Sequence, residues 1–266
     1  MSFAERYGPW AIVAGASEGT GREFARQIAA QGVPSILIAR RPEPLEALAA
    51  EIRAECGVEC VAASIDLSAP DAAKQVIAAA GNREIGLFVA NAGADPNGSR
   101  FLDLDLEIWR GFVQRNVMAW YECSHHFGAA MRARGGGGLL LVNSGACYGG
   151  ASFMATYSAT KAFMLCFAEG LWAELKPHGV DVLTLVMEAT DTPEFRRLLR
   201  EKGMPLYPDL ASPVDVAALG LARLADGPIV NCGKADEEAG FSSLSARARR
   251  ERVLVIDEMT KPIFGS

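Results

Sequence analysis

The sequence predicts an α/β protein, a doubly wound parallel sheet of about seven strands with helices on both faces. Three observations predict it. Short apolar runs alternate with helical patterns from the start of the chain. The runs are continuous rather than alternating, as strands buried on both faces require. The first of them passes through a glycine-rich turn directly into a helix.

Trp10-Ala11-Ile12-Val13-Ala14 is the first strand, Gly15 to Gly21 a turn, and Arg22 to Gln31 a helix with Phe24, Ile28 and Ala29 on one side. Ser35 to Ala39 is the second strand. Pro42 to Cys56 follows as a helix with Leu45, Leu48, Ala49 and Ile52 at helical spacing. Val58 to Ser64 makes a third strand, Pro70 to Ala80 a helix, and Leu87 to Ala90 a fourth strand. A long helix runs from Glu107 to Arg134, and Gly135-Gly136-Gly137-Gly138 breaks it. Leu139 to Val142 is the fifth strand, Ala155 to Lys176 a helix, Asp181 to Val186 the sixth strand, and Pro228 to Asn231 a seventh. Right-handed crossovers connect such units. No repeat, linker or low-complexity tract interrupts the chain, so one domain over 1–266 is expected.

The segment 191–210 breaks the rhythm with Pro193, Phe195, Leu198, Leu199, Met204 and Tyr207. An insertion beyond the carboxyl end of a strand is placed to cover a ligand crevice, and the segment reads as a substrate lid. A surface excursion or an oligomer contact is the alternative.

The chain has 266 residues, 50% of them hydrophobic, enough for one large core. Lys and Arg number 26 against 32 Asp and Glu, a formal charge of −6 with no basic block. That balance argues against a nucleic-acid partner or an anionic membrane surface. The N-terminus lacks a signal-peptide pattern, and no apolar run reaches the roughly 18 residues that span a bilayer. The six cysteines are scattered with no C-x-x-C pair, as in a reduced cytoplasmic protein. His125, His126 and His178 have no metal-ligand spacing, and no metal is expected.

The turn Gly15-Ala16-Ser17-Glu18-Gly19-Thr20-Gly21 joins strand to helix. Glycines there permit close backbone approach to a pyrophosphate, and the helix N-terminus offers amide donors. This makes the sheet Rossmann-like. Arg40 and Arg41 follow the second strand, where an acidic residue would accept from a free ribose 2′-OH and an arginine accommodates a 2′-phosphate. Two arginines favour NADP(H) over NAD(H). Glu18 opposes a phosphate if its carboxylate turns inward.

Tyr157 and Lys161 sit one turn apart on one face of a helix. A phenol titrates near ~10, and a nearby ammonium lowers that value. Such a pair can hand a proton to, or take one from, an oxygen near neutral pH.

With these motifs in order, the chain resembles the short-chain dehydrogenase/reductase family in its compact single-domain form. The resemblance runs from Trp10 to about Val230. The family's T-G-x-x-x-G-x-G motif matches Gly15, Gly19 and Gly21, with Ala14 where Thr is usual. The acidic residue that holds the adenine matches Asp66, followed by Leu67, and the N-A-G motif is Asn91-Ala92-Gly93. The catalytic set matches Asn116, Ser144, Tyr157 and Lys161. The resemblance implies an NAD(P)-dependent oxidoreductase. Tyr157 would be the general acid/base and Ser144 would orient the substrate oxygen. Lys161 would lower the Tyr157 pKa and bind ribose, and Asn116 would hold a proton-relay water. Thr190 and Thr192 match positions around the nicotinamide. The alternatives are an NAD-dependent alcohol dehydrogenase and a non-catalytic NADP(H) sensor.

The chain departs from the family where Pro-Gly becomes Met187-Glu188 after the sixth strand. Met187 would give an apolar wall. Glu188 would either contact a polar substrate group or turn outward. Asp95, Ala146, Tyr148, Met154, Met187, Glu188 and Phe195 are the expected substrate pocket. Its mainly apolar and aromatic walls suggest a medium or bulky ketone or secondary alcohol. The family commonly forms homodimers or homotetramers through its long helices and C-terminal region. Phe112, Val113, Val117, Phe127, Phe163, Phe167 and Leu171 would supply such faces or pack on the sheet. The apolar tail from Val253 to Phe264 would pack on this chain or a neighbour.

Overall fold

A computed structural model describes residues 1–232, together with Glu258 and Pro262. The tail from Val253 to Phe264, Glu258 and Pro262 apart, lies outside the described residues. The described chain begins with α1 (Phe3–Tyr7), where Ser2 and Glu5 form a capping box. β1 (Trp10–Ala14), α2 (Gly19–Ala30), β2 (Ser35–Ala39), α3 (Pro42–Cys56) and β3 (Cys60–Ser64) follow. Next come α4 (Ala72–Ala80), β4 (Ile85–Ala90), α5 (Leu106–Val113), a π-helical turn (Gln114–Met118) and α6 (Ala119–Arg134). β5 (Gly137–Ser144), α7 (Ala155–Leu175), β6 (Val180–Met187), α8 (Pro193–Glu201), α9 (Pro213–Ala222) and β7 (Ile229–Asn231) complete the order.

The seven strands are all parallel and lie in the order β3-β2-β1-β4-β5-β6-β7. Alternate residues along each strand supply two cores. Val13, Leu37, Leu87, Leu140 and Leu183 face α2, α3 and α9, against Phe24, Ile28, Leu48 and Val216. Ile12, Ile36, Phe88, Leu139 and Val182 face α4, α6 and α7, against Val76, Trp120, Phe127 and Met164. Both faces are therefore dry, which explains the continuous apolar runs.

Several expected boundaries move. β5 begins at Gly137, not at Leu139, so half of the glycine run is strand. A Cβ on Gly138 would lie 3.0 Å from the Tyr7 ring, so this glycine serves close packing rather than a break. β3 starts at Cys60 rather than Val58, and β6 reaches Met187, paired in register with Ser144. The long helix is not uniform: the π-helical turn interrupts it between α5 and α6. Phe112, Val117 and Phe127 are buried, whereas Val113 and Phe163 are exposed.

The winding reverses between β1 and β4. In open parallel sheets, ligands bind in the crevice at the carboxyl ends of the strands flanking such a reversal. The glycine turn after β1 and the turn after β4 meet there. Asn91 donates from Nδ2 to Gly15 O at 3.0 Å, and its own amide donates to Ala14 O at 3.1 Å.

Candidate active site

A cleft of about 450 Å³ opens at this reversal. The glycine turn lines it, and α2 begins there at Gly19 with first-turn amides that have no partner within the helix. A Cβ on Gly21 would stand 1.9 Å from Gly15 O, so only glycine lets α2 come this close to the turn. Gly21 is therefore a packing residue and does not line the cleft, unlike Gly15, Ser17, Glu18, Gly19 and Thr20. The Thr20 hydroxyl is buried with no hydrogen-bond partner. A buried hydroxyl in such a wall is an anchoring point for a polar ligand.

One end of the cleft is basic. Arg40, Arg41, Arg115 and Arg197 line it, facing the carboxylates Glu18 and Glu194. Glu18 does turn toward the cleft, and its charge is taken up: Arg197 Nη2 lies 2.6 Å and Arg41 Nη2 2.8 Å from its oxygens. Burial pushes this carboxyl up, but the two guanidinium groups outweigh it and hold it below the usual carboxylate range. Leu67 lines the cleft beside Ile65, while Asp66 does not. Asp66 is exposed, with its carboxylate turned back to Ser68 at 3.0 Å from N and 2.7 Å from Oγ.

The other end holds Tyr157 and Lys161, with Asn91, Ala92 and Gly93 along the wall between. Their i, i+4 spacing on α7 acts as expected: Lys161 Nζ stands 5.7 Å from the centre of the Tyr157 ring. Lys161 is 7% exposed and donates to Val142 O at 3.1 Å. Burial pushes its ammonium down to about 8. Tyr157 moves the opposite way from the reading of the spacing alone. Burial pushes the phenol up to about 12, while a hydrogen bond with the Ser144 side chain pulls it down. Desolvation of the ring oxygen outweighs the help from its neighbours here.

Ser144 closes β5 and accepts from Ala146 N at 3.3 Å. Asn116 lies in the π-helical turn, buried behind the cleft rather than lining it. Its Nδ2 donates to Gly93 O at 3.4 Å and Thr160 Oγ1 at 3.5 Å. A Cβ on Gly93 would lie 3.0 Å from Lys161 Nζ and 3.6 Å from Asn116 Oδ1, so lysine and asparagine converge on this glycine. A π turn widens the helix by one residue and re-aims side chains, a device common at functional sites.

The substrate-side residues separate. Met187 and Thr192 line the cleft, and Thr192 also caps α8 by accepting from Phe195 N at 3.2 Å. Thr190 does not line it; it is buried, with Oγ1 donating to Glu188 O at 2.9 Å. Glu188 is exposed and outside the cleft, the outward alternative. Asp95, Ala146, Tyr148, Met154 and Phe195 stand outside the cleft as well. Asp95 accepts from Asn97 N at 2.8 Å, and burial holds its carboxyl above the usual range. Tyr148 donates to Asn231 Oδ1 at 2.7 Å, and Phe195 packs on Tyr207 with ring centres 6.2 Å apart. From the segment 191–210, Thr192, Glu194 and Arg197 line the cleft, and a Cβ on Gly19 would lie 3.0 Å from Thr192.

Three residues escaped the sequence reading. Asn143 is buried, donates to Lys161 O at 3.1 Å and accepts from Ser144 N at 2.9 Å. It ties α7 to the end of β5. Its signal was a polar residue ending an apolar strand, where burial demands partners. Arg115 lines the cleft and reaches Ala94 O at 3.2 Å, with burial and then Arg40 pushing its guanidinium down. Arg197 carries the basic end across to α8.

A glycine turn feeding a helix N-terminus, a basic end, and a buried Lys161 beside half-buried Tyr157 and Ser144 define a dinucleotide-dependent oxidoreductase site. The family model described as short chain dehydrogenase matches residues 9–203. The chain belongs to the short-chain dehydrogenase/reductase family, whose members are oxidoreductases acting on CH–OH donors. A 7beta-hydroxysteroid dehydrogenase of Collinsella aerofaciens is 33% identical over 195 residues, 73% of this chain and 74% of that one. A solved structure from work on 7beta-hydroxysteroid dehydrogenase stereoselectivity superposes with a TM-score of 0.87 at 27% identity, covering 96% of this chain and 99% of the other. A short-chain dehydrogenase from Sphingobium yanoikuyae in complex with NADPH gives 0.77 at 25% identity, covering 94% and 93%. Among the described residues, no helix is long and apolar enough to cross a membrane, and no cluster of side chains suits a metal ion.

Proposed function

We propose that this protein is an NADP(H)-dependent oxidoreductase acting on a ketone or secondary alcohol of medium to bulky, largely apolar character. The observation that carries the reading is the Tyr157 phenol, hydrogen-bonded to Ser144 with Lys161 beside it, at the end of a cleft whose other end is basic. The glycine turn, Arg40, Arg41 and Lys161 would hold the dinucleotide. NADP(H), when bound, supplies or accepts the hydride.

Ser144 positions the substrate oxygen against Tyr157. A phenol raised to about 12 keeps its proton through the neutral range, which sets Tyr157 to donate to a carbonyl oxygen. Lys161, still charged at pH 7, stabilises the phenolate as the proton leaves. Asn116, meeting Lys161 at Gly93, would hold a water that returns the proton from solvent.

Met187 at the cleft gives an apolar wall that favours an apolar substrate. The relatives named for a hydroxysteroid support a fused-ring substrate of that size. The exposed rings of Tyr121 and Phe163, packed with half-buried Phe167 at ring centres 5.2–6.2 Å apart, favour a second copy packing on α6 and α7. Light scattering reports the resulting dimer or tetramer. Six free cysteines suit a reducing, cytoplasmic setting.

NADPH consumption over a panel of ketosteroids, aryl ketones and small sugars tests the substrate class. Tyr157→Phe is expected to lower turnover by about 10²–10⁴-fold with NADPH affinity unchanged. Near-normal turnover in that variant, or activity confined to sugars, overturns the reading.

A further inference from the structure

The lid helix α8 carries a cation into the basic end of the cleft. Arg197 lines that end with Arg40 and Arg41. Its guanidinium grips the Glu18 carboxylate with both nitrogens, Nη2 to Oε1 at 2.6 Å and Nη1 to Oε2 at 3.3 Å. Arg41 reaches the same carboxylate at 2.8 Å, and Arg197 also contacts Glu194 on its own helix. Glu18 thus gathers two guanidinium groups, one from the end of β2 and one from the lid, at a single point. Arg40 stands beside them, exposed and with no side-chain ion pair among the described residues. With Arg115, four arginines against Glu18 and Glu194 leave the rim net positive.

We propose that Arg197 is a specificity residue for the 2′-phosphate of the cofactor, and that Glu18 is the residue that positions it. The inference rests on the NADP(H) reading above. A phosphate dianion offers three acceptor oxygens and takes paired N–H donors from guanidinium forks. A ribose 2′-OH carries no charge to meet them. The contribution of Arg197 therefore falls on NADP(H) and spares NAD(H). The same helix starts at Thr192 in the cleft wall, so recognition of the phosphate and placement of the lid become one event.

Wild type, Arg197→Gln and Arg197→Lys are titrated by calorimetry with NADPH, NADH, 2′,5′-ADP and 5′-AMP. Arg197→Gln is expected to weaken NADPH and 2′,5′-ADP about tenfold, as for loss of a charge-assisted bond at a partly exposed site, and to leave NADH and 5′-AMP within about twofold. Arg197→Lys, which keeps the charge and loses the fork, recovers part of the loss. Equal losses for NADPH and NADH would assign Arg197 to the shared pyrophosphate or to lid packing and overturn the proposal. An unchanged NADPH affinity overturns it too. A wild type that binds 5′-AMP and NADH as tightly as the phosphorylated pair defeats the NADP(H) reading itself. A wild-type preference that survives Arg197→Gln defeats the role of Arg197 alone.

Discussion

Replacing Lys161 by Met should make the protein more stable and inactive. The ammonium is buried, and its pKa falls from 10.5 to about 8 with burial as the main cause. At about 1.4 kcal/mol per pH unit, keeping that charge inside costs about 3 kcal/mol at neutral pH. Met removes the charge and keeps much of the stem. It also removes the hydrogen bond to Val142 O, which gives back about 1 kcal/mol. The net gain is about 2 kcal/mol, or about 5 °C in Tm for a domain of this size. The sign with pH follows from a lowered lysine pKa. Below pH 8 the lysine is charged in both folded and unfolded chains, and the full cost is present. Between 8 and 10.5 the folded lysine loses its proton first, so the wild type gains and the variant's advantage shrinks. Calorimetric Tm values for both proteins from pH 6 to pH 10 measure this. A variant melting at or below wild type at pH 6, or an advantage that does not shrink above pH 8, refutes the reasoning.

Ser144→Ala removes the one neighbour that pulls the Tyr157 phenol down and the group that orients the substrate oxygen; kcat at saturating cofactor should fall by about 10²-fold. Gly21→Ala places a methyl 1.9 Å from Gly15 O and 2.6 Å from Asn91 Nδ2, forcing α2 off the turn. Urea unfolding should register a loss of about 3 kcal/mol, with cofactor affinity falling alongside it.

Much of this was legible in the sequence because burial on both sheet faces writes itself as apolar runs. Each of the seven expected strands overlaps an observed one, and α3 matches its expected bounds, because both follow from that single constraint. The glycine turn and the Tyr157–Lys161 spacing were legible because backbone geometry and helix period are local properties. What escaped was set by contacts from far along the chain. Nothing in Gln114–Met118 announces a π turn; packing around Gly93 and α7 decides it. Arg197 was one of several charges on an amphipathic helix until Glu18, 179 residues earlier, gave it a place. The phenol's upward displacement is likewise a matter of burial, which spacing does not encode. Two helices did leave local marks that went unused: Ser2 and Glu5 cap α1, and Ser212-Pro213 opens α9.

The strand order also sets a sequence of assembly in time. β1, β2 and β3 can pair as soon as the chain has been made through Ser64. The other edge of β1 waits for β4, because Trp10 pairs with Ile85 and Val13 with Val89. Until that long closure is made, the glycine turn has no Asn91 amide to brace it and the crevice has one wall. The crevice is thus complete only once β4 has paired with β1. A ligand held in this crevice would favour the sheet with β4 in place over forms in which β4 has not joined β1.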